Sequence, residues 1–319
     1  MKAPRQSDVA RLAGVSQSAV SRVVSGDVDR IPVETRDRIL AAVKVLGYVP
    51  NAAARNLRNK RNRLLGVHTF EAVFPHARED FYFEFLLGIE ERAEQIGYDL
   101  VLFTSTGTSD GRRRIYRDGT NRLNLADGTV LLGAATDREE LARLWHDGYL
   151  FVHIGRREVP GADIPCIVPD YVSAASRIVS SLADRGHRHL AYLREGIEQE
   201  AYVDRRTGYR TAIERLGLQD RSPGFRDEPG LSEEWLAERG LGIPADLSVA
   251  VLEGSGDEPG HRWDCLVIPR KEIGRIAIDA LVARVENPDV APVSQLVPCD
   301  LVAGETVAEP SRTKSRAKE

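Results

Sequence analysis

Between Val9 and Leu46 the apolar residues return at intervals of three and four, the spacing that gathers them on one face of a helix. Val9, Leu12 and Ala13 form one set, Val20, Val23 and Val24 a second, and Ile39, Leu40, Val43 and Leu46 a third. Flanking residues mark the ends. Ser7 is placed to cap the first helix, Asp8 sits in its first turn where the helix dipole favours an acid, and Gly14 can close it in a left-handed conformation. Ser16 is placed to cap a second helix, Gln17 to Val24, which Gly26 closes, and a third runs from Glu34 to Leu46 and stops at Gly47. Two short helices joined by a tight Gly-containing turn make a helix-turn-helix.

From Leu64 onward the pattern changes. Short apolar runs at Leu64–His68, Asp99–Phe103, Gly128–Leu132, Leu150–Ile154 and His189–Leu193 alternate with amphipathic stretches at Phe81–Ile96, Glu139–His146, Tyr171–Arg185 and Arg205–Leu216. Strands alternating with helices imply a doubly wound α/β body, a parallel sheet covered on both faces. Ligands of such sheets bind at the carboxyl ends of the strands, and in the cleft where there are two lobes. Residues 309–319 are polar and basic without apolar periodicity, which reads as a disordered tail.

Charge sharpens this division. Residues 1–63 carry 13 Lys+Arg against 5 Asp+Glu, whereas the remainder carries 31 against 43, so a basic head precedes an acidic body. That distribution fits a nucleic-acid-binding module attached to something else, although a merely solvated charged surface would look alike. The length of 319 residues accommodates two or three compact units, and 42% hydrophobic with 29% charged residues is ordinary globular composition. No apolar run has the length of a membrane span and the first residues open no signal peptide, so a cytoplasmic protein is expected. Cys166, Cys265 and Cys299 are widely spaced and read as reduced thiols. His153, His187 and His189 have no HExxH pattern or ligand cluster around them, and no GxSxG, GxGxxG or P-loop occurs. No catalytic residue, metal or cofactor is therefore expected.

The second helix turns Gln17, Ser18 and Arg22 outward, with Ser16 at its start. A helix fits the major groove of double-stranded DNA, where Gln pairs with adenine and Arg with the O6/N7 edge of guanine. After Pro50, Asn51 can cap a short helix favoured by Ala52, Ala53 and Ala54. Leu57 is its one large apolar residue, too little to bury a core alone. Flanked by Arg55 and Arg58, Leu57 suits a wedge between base steps of the minor groove; the same stretch also reads as a flexible basic linker.

These pieces resemble the N-terminal region of the lactose-repressor (LacI) family. The matching residues are Asp8-Val9-Ala10, Ala13-Gly14-Val15-Ser16, Val20-Ser21-Arg22-Val23, Glu34-Thr35-Arg36, Leu46-Gly47-Tyr48, Pro50-Asn51 and Ala54-Arg55 with Leu57. In the body the likeness continues through Leu65-Gly66-Val67, Gly88-Ile89-Glu90, Gly97-Tyr98, Asp127-Gly128, Gly186-His187, Arg205, Gly208-Tyr209-Arg210 with Ala212, and Ile243-Pro244-Ala245-Asp246-Leu247-Ser248-Val249. The resemblance implies a head (1–49), a hinge helix or linker (50–63) that folds on operator DNA, and a two-lobed ligand-sensing, dimerising body (64–308) like a periplasmic sugar-binding protein. It implies a homodimer on a palindromic operator, with the DNA contacts named above, Ala54 included. It implies a sugar-like effector held by Phe81, Tyr82, Asp170, Arg205 and Glu253. For each of these an ordinary structural role is the alternative: core aromatics, a helix cap at Asp170, a surface charge at Arg205.

The chain departs from the family pattern in four places. Pro32 replaces the usual Ser cap, so the third helix is expected to start without that hydrogen bond. Glu253 stands where Asp is common, and Gly155 where some members have an acid. Around Leu231–Ile243 the family's further strand, its Asn-Asp ligand segment and its following helix are shortened away, so the second sheet is expected to have a gap or an exposed edge. The function implied is a sequence-specific transcription regulator, most simply a repressor of a carbohydrate-related operon. One rival is a DNA-binding regulator whose defective sensor lobe no longer responds to ligand; a sugar-binding or sugar-processing protein is a remoter one.

Overall fold

The computed structural model describes residues 4–25, 28, 31–48, 62–71, 81–104, 112–134, 136–193, 199–222, 236, 238–254 and 262–310. The chain divides into two compact units, Met1–Leu64 and Leu65–Glu319. No described helix is long and apolar enough to cross a membrane.

The first unit contains α1 (Gln6–Ala13), α2 (Gln17–Ser25) and α3 (Val33–Leu46). Ser7 lies inside α1 and is not its cap. The helix starts earlier because Asp8 reaches back to accept the Arg5 N–H at 2.9 Å, satisfying an amide that the first turn would leave open. Ser16 does cap α2, its hydroxyl accepting the Ala19 N–H at 3.2 Å. Gly14 and Gly47 close α1 and α3 at φ of 66° and 59°, and α3 starts after Pro32 with no side-chain cap bond. Val9, Ala10, Ala13, Val20, Val23, Ile39 and Ala42 make the core, with Val24, Val43 and Leu46 packed against it. Leu12 and Leu40, expected inside, are 52% and 44% exposed. Ala10 and Ala42 take the inward positions instead, because small side chains let three short helices approach closely.

The second unit opens with β1 (Leu64–Thr69), α4 (Phe83–Gln95) and β2 (Asp99–Phe103). A two-stranded turn, β3 (Tyr116–Arg117) and β4 (Thr120–Asn121), leads to β5 (Gly128–Leu132), α5 (Arg138–His146), β6 (Phe151–Ile154) and β7 (Cys166–Pro169). With β12 (Ser294–Val297) these strands form a sheet ordered β12-β7-β6-β5-β1-β2, parallel at every pairing from β12 to β1. Alternate residues serve opposite faces: Val130 and Val152 join Ile89, Ile278 and Leu281 on one side, while Leu131 and Phe151 join Leu141 and Leu144 on the other. Helix α8 (Arg270–Glu286), which the periodicity does not reveal, packs on α4 and across β5, β6 and β7. Backbone meets backbone at that crossing. A Cβ on Gly88 would stand 1.9 Å from the Lys271 carbonyl oxygen, and one on Gly274 would stand 2.3 Å from that of Phe85.

The second lobe pairs α6 (Tyr171–Asp184) with α7 (Glu200–Leu216) beside two separate sheets. One joins β8 (His189–Leu190) to β9 (Gln219–Asp220); the other orders β10 (Ala250–Gly254), β11 (Asp264–Val267) and β13 (Asp300–Val302). Among the described residues no strand joins β8 to β10; residues 223–235, where the shortened stretch begins, lie outside them. The run read as a strand to Leu193 pairs only at His189 and Leu190, and α7 begins at Glu200, five residues before the expected start. Cys166, Cys265 and Cys299 are free and buried.

His68 and His153 are fully buried in the first lobe. Burial, with Arg113 and Arg122 nearby, lowers the His68 pKa to about 4, and neither ring nitrogen has a hydrogen-bond partner among the described residues. Burial lowers that of His153 in the same direction, although its ring meets the Gly155 carbonyl at 2.8 Å. Unfolding therefore takes up protons between roughly pH 6.5 and pH 4, and stability falls as pH drops through that window. At pH 5 the His68 contribution alone is expected to be about 2 kcal/mol. Urea midpoints at pH 7 and pH 5 check this, with His68→Leu shrinking the difference; equal pH dependence in both proteins contradicts it.

Candidate functional site

On α2 the polar and apolar residues sort cleanly by face. Val20 and Val23 are buried, while Ser16, Gln17, Ser18 and Arg22 are exposed. Ser16 and Ser18 are linked hydroxyl to hydroxyl at 2.8 Å, which stiffens the first turn that carries Gln17. The result is a capped helix presenting an amide, a hydroxyl and a guanidinium in one row. Asn51, Ala54, Arg55, Leu57 and Arg58 lie outside the described residues.

In the second unit the carboxyl ends of the first lobe's strands meet the amino-terminal turn of α7. Arg156, just past β6, binds the Asp204 carboxylate through both Nε (3.1 Å) and one terminal nitrogen (2.6 Å). Arg138 on α5 reaches Glu200 at 2.8 Å, and Arg157 lies 3.7 Å from the other Glu200 oxygen. Burial pushes the Glu200 carboxyl up, but backbone N–H donors and the Arg157 and Arg138 charges outweigh it and hold the group below its usual range. Burial lowers the Arg157 pKa. Arg157 also donates to the Gly133 carbonyl at 2.6 Å. Gly133 is required there: at φ 135° it would place a Cβ 2.6 Å from Glu71. Glu71 accepts the Ala134 N–H at 2.8 Å and the Tyr82 hydroxyl proton.

A second network joins the ends of β10 and β11. Arg205 of α7 donates to Glu253 at 2.6 Å, and Arg270, at the start of α8, donates to the other Glu253 oxygen at 3.3 Å. The Arg205 guanidinium lies over the Tyr171 ring at 4.2 Å, and that of Arg270 over the Phe81 ring at 4.8 Å. Both Nε atoms are buried without a hydrogen-bond partner among the described residues. Burial works against the charge on Arg205, but Tyr171 and Glu253 raise its pKa overall.

Of the five cleft residues expected from sequence, Phe81, Arg205 and Glu253 come together, with Arg270 as the link. Tyr82 turns to Glu71 instead. Asp170 caps α6, accepting the Ser173 N–H at 3.0 Å, the ordinary role weighed for it. Sequence reasoning missed Arg270, Glu71, Arg156 and Arg157. The last three stand just past strands that the periodicity reveals, so the rule that ligands meet strand ends could have found them. Arg270 follows β11, which it does not reveal. Among the described residues no group of His, Cys, Asp and Glu could hold a metal ion.

Comparison with known proteins gives this geometry its context. The family description "Bacterial regulatory proteins, lacI family" matches residues 7–51. A second, "Periplasmic binding proteins and sugar binding domain of LacI family", matches residues 67–226, half of the chain. The chain belongs to the LacI family. The second match ends at residue 226. Catabolite control protein A of Priestia megaterium is 31% identical over 212 residues, 66% of this chain and 61% of that protein. The matched part thus spans about three fifths of that relative's length. The HTH-type transcriptional regulator GntR of Escherichia coli K12 is 27% identical over 322 residues, covering 91% of this chain and 95% of the relative. Among solved structures, the lac repressor dimer bound to operator and the anti-inducer ONPF superposes with a TM-score of 0.70 at 22% identity, over 96% of this chain and 100% of that one. The CelR–cellobiose complex does so with a TM-score of 0.57 at 22% identity, over 95% and 99%. At such identity the likeness is one of fold. In this LacI-family chain the cleft lies at the strand ends, where a doubly wound fold places its ligand.

Replacing Glu253 by Ala leaves Arg205 and Arg270 facing one another without a carboxylate. Thermal or urea unfolding is expected to show a loss of about 1–3 kcal/mol, less than for a wholly dry pair because Glu253 is partly exposed. Unchanged stability would show that water already screens the two cations.

Proposed function

We propose that this protein is a sequence-specific DNA-binding transcription regulator: a homodimeric repressor that binds a palindromic operator and is controlled by a sugar-like effector. The observation that carries this reading is the exposed row Gln17, Ser18 and Arg22 on a capped helix whose opposite face, Val20 and Val23, is locked into the head's core. Such a helix can lie in the major groove with its side chains against base edges, and a symmetric dimer matches the symmetry of a palindrome. Ser16 adds a contact at the helix start. Asn51, Ala54, Arg55, Leu57 and Arg58 are the proposed hinge contacts, with Leu57 as the minor-groove wedge.

The effector is assigned to the cleft of the second unit. Phe81 offers a ring face for stacking on a sugar; Arg205, Glu253 and Arg270 offer charged hydrogen-bonding partners for hydroxyls; Tyr82 and Asp170 border the same strand ends. CelR, whose complex with cellobiose shares the fold, supports a sugar as the ligand class. An effector acts only through a difference in affinity between two states of the body, here the closure held by the Arg156–Asp204 and Arg138–Glu200 pairs and a more open one. The divided second sheet favours one rival, a regulator that binds DNA but no longer senses ligand. Thermal-shift screening with sugars and nucleosides separates the two, because an occupied cleft raises the melting temperature and a dead one does not.

Selection of bound sequences from a random DNA pool at about 150 mM salt is expected to return a palindrome; no enrichment contradicts the proposal. Arg22→Ala is expected to weaken operator binding by roughly 1–3 kcal/mol while barely changing binding to random DNA. Equal loss on both would assign Arg22 to phosphate. Leu57→Ala is expected to reduce operator bending in a gel-phasing assay, and an unchanged bend angle rules out the wedge.

A further inference from the structure

Glu200 of the second lobe is gripped by two arginines that come from different segments of the first. Arg138, the first residue of α5, donates to Oε1 at 2.8 Å, and Arg157, in the turn after β6, stands 3.7 Å from Oε2. A buried pair of this kind offsets its lost hydration only when the approach of the charges is well fixed. Whatever holds the two segments in place is therefore part of the grip. The side chain between them is His153 of β6, which is fully buried. Its Nδ1 meets the Gly155 carbonyl at 2.8 Å, two residues before Arg157. Its Nε2 lies 3.2 Å from the Thr136 hydroxyl, two residues before Arg138. One ring thus ties down both arginine-bearing segments, one through each nitrogen.

The connection reaches Arg157 by a second route. The Thr136 hydroxyl donates to the Gly133 carbonyl at 2.8 Å, and that carbonyl also accepts Nη2 of Arg157 at 2.6 Å. Nη1 of Arg157 donates to the Arg156 carbonyl at 2.6 Å. The bonds close a ring through His153, Thr136, Gly133 and Arg157, which returns along the backbone to Gly155. A carbonyl only accepts, so Nδ1 of His153 carries the hydrogen. Burial, with the Arg157 charge, holds the His153 pKa well below its ordinary value, so the ring is neutral and Nε2 accepts. The one Thr136 proton then has two acceptors in reach, Nε2 and the Gly133 oxygen. The strands on either side bring no competing charge. Leu131 stands opposite His153 on β5, Cys166 stands opposite on β7 with its thiol pKa raised by burial, and Phe70 stacks on the ring at 6.3 Å. Among the described residues Thr136 is the side chain that hydrogen-bonds the ring.

We propose that His153 and Thr136 are positioning residues for closure of the cleft: together they hold Arg138 and Arg157 at the spacing that grips Glu200, without contacting the carboxylate themselves. This rests on reading the Glu200 pairs as the closure that an effector shifts, but the pairs can be followed without any effector. The Glu200 carboxyl is the reporter. Its pKa is held below the ordinary range, against burial, by backbone N–H donors and by Arg157 and Arg138. Carbon-13 NMR titration of the side-chain carboxyls in the full chain follows it, with Glu200→Gln assigning the signal. Thr136→Val keeps the shape of the side chain but loses the hydroxyl, and is expected to move the Glu200 midpoint up toward that of an ordinary Glu; Thr136→Ser leaves it in place. His153→Leu is expected to move it at least as far as Thr136→Val. Leu123→Ala, in the same lobe's core but outside both segments, is expected to lower stability without moving it. An unmoved midpoint in Thr136→Val, an equal shift in Thr136→Ser, or an equal shift in Leu123→Ala overturns the proposal. Should His153→Leu fail to fold, the two Thr136 variants decide. If the midpoint moves as expected while no sugar changes the melting temperature, the positioning role stands and the effector reading alone falls.

Discussion

The two lobes of the body are held face to face by arginine–carboxylate pairs in which each lobe contributes one sign. Arg138, Arg156 and Arg157 come from the first lobe, and Glu200 and Asp204 from the opening turns of α7. Arg157 and Glu200 have side chains only 10% and 8% exposed, and charges so buried persist only while paired. The spacing of the lobes, and with it the position of every cleft residue, follows from this requirement. Opening the cleft would rehydrate these charges and also break their pairing. The two terms oppose each other.

The same requirement, applied to backbone groups, explains the second lobe. A parallel sheet leaves no N–H or C=O unpaired inside it, yet β8 and β10 stand without a strand between them among the described residues. The helices behind this break stay well packed: Tyr209, Ala212 and Ile213 of α7 are buried against Val179 of α6. Among the described residues the helical layer is thus continuous where the sheet layer is divided. In the first lobe the opposite holds. Its sheet is completed by β12, and α8 covers it, although both come from the last sixth of the chain.

Local features were legible where one residue and its immediate neighbours decide the outcome. Gly14 and Gly47 close their helices, Ser16 caps α2, Pro32 leaves α3 without a cap bond, and β2 and β5 fall on the runs that predict them. Ser7 falls inside α1 because the Asp8 carboxylate, a charged acceptor, takes the Arg5 N–H and starts the helix earlier. Leu12 and Leu40 stay exposed because periodicity counts residue types and not the width of the face that three short helices can enclose. Among the cleft residues, Phe81, Arg205 and Glu253 could be named in advance, but not that Arg270 joins them or that Tyr82 turns to Glu71.

By itself the sequence determined a basic helix-turn-helix head on an acidic α/β body and the outward row on α2. These depend on interactions a few residues apart, or on charge and chain length, and need no knowledge of the fold. Only the tertiary structure decided which charges meet across the cleft and that α8 crosses α4 at Gly88 and Gly274. The charge pairs join residues 43 to 62 positions apart, and the helix crossing joins Phe85 to Gly274. A guanidinium finds its carboxylate there because strands from distant parts of the chain end side by side, which no local pattern encodes.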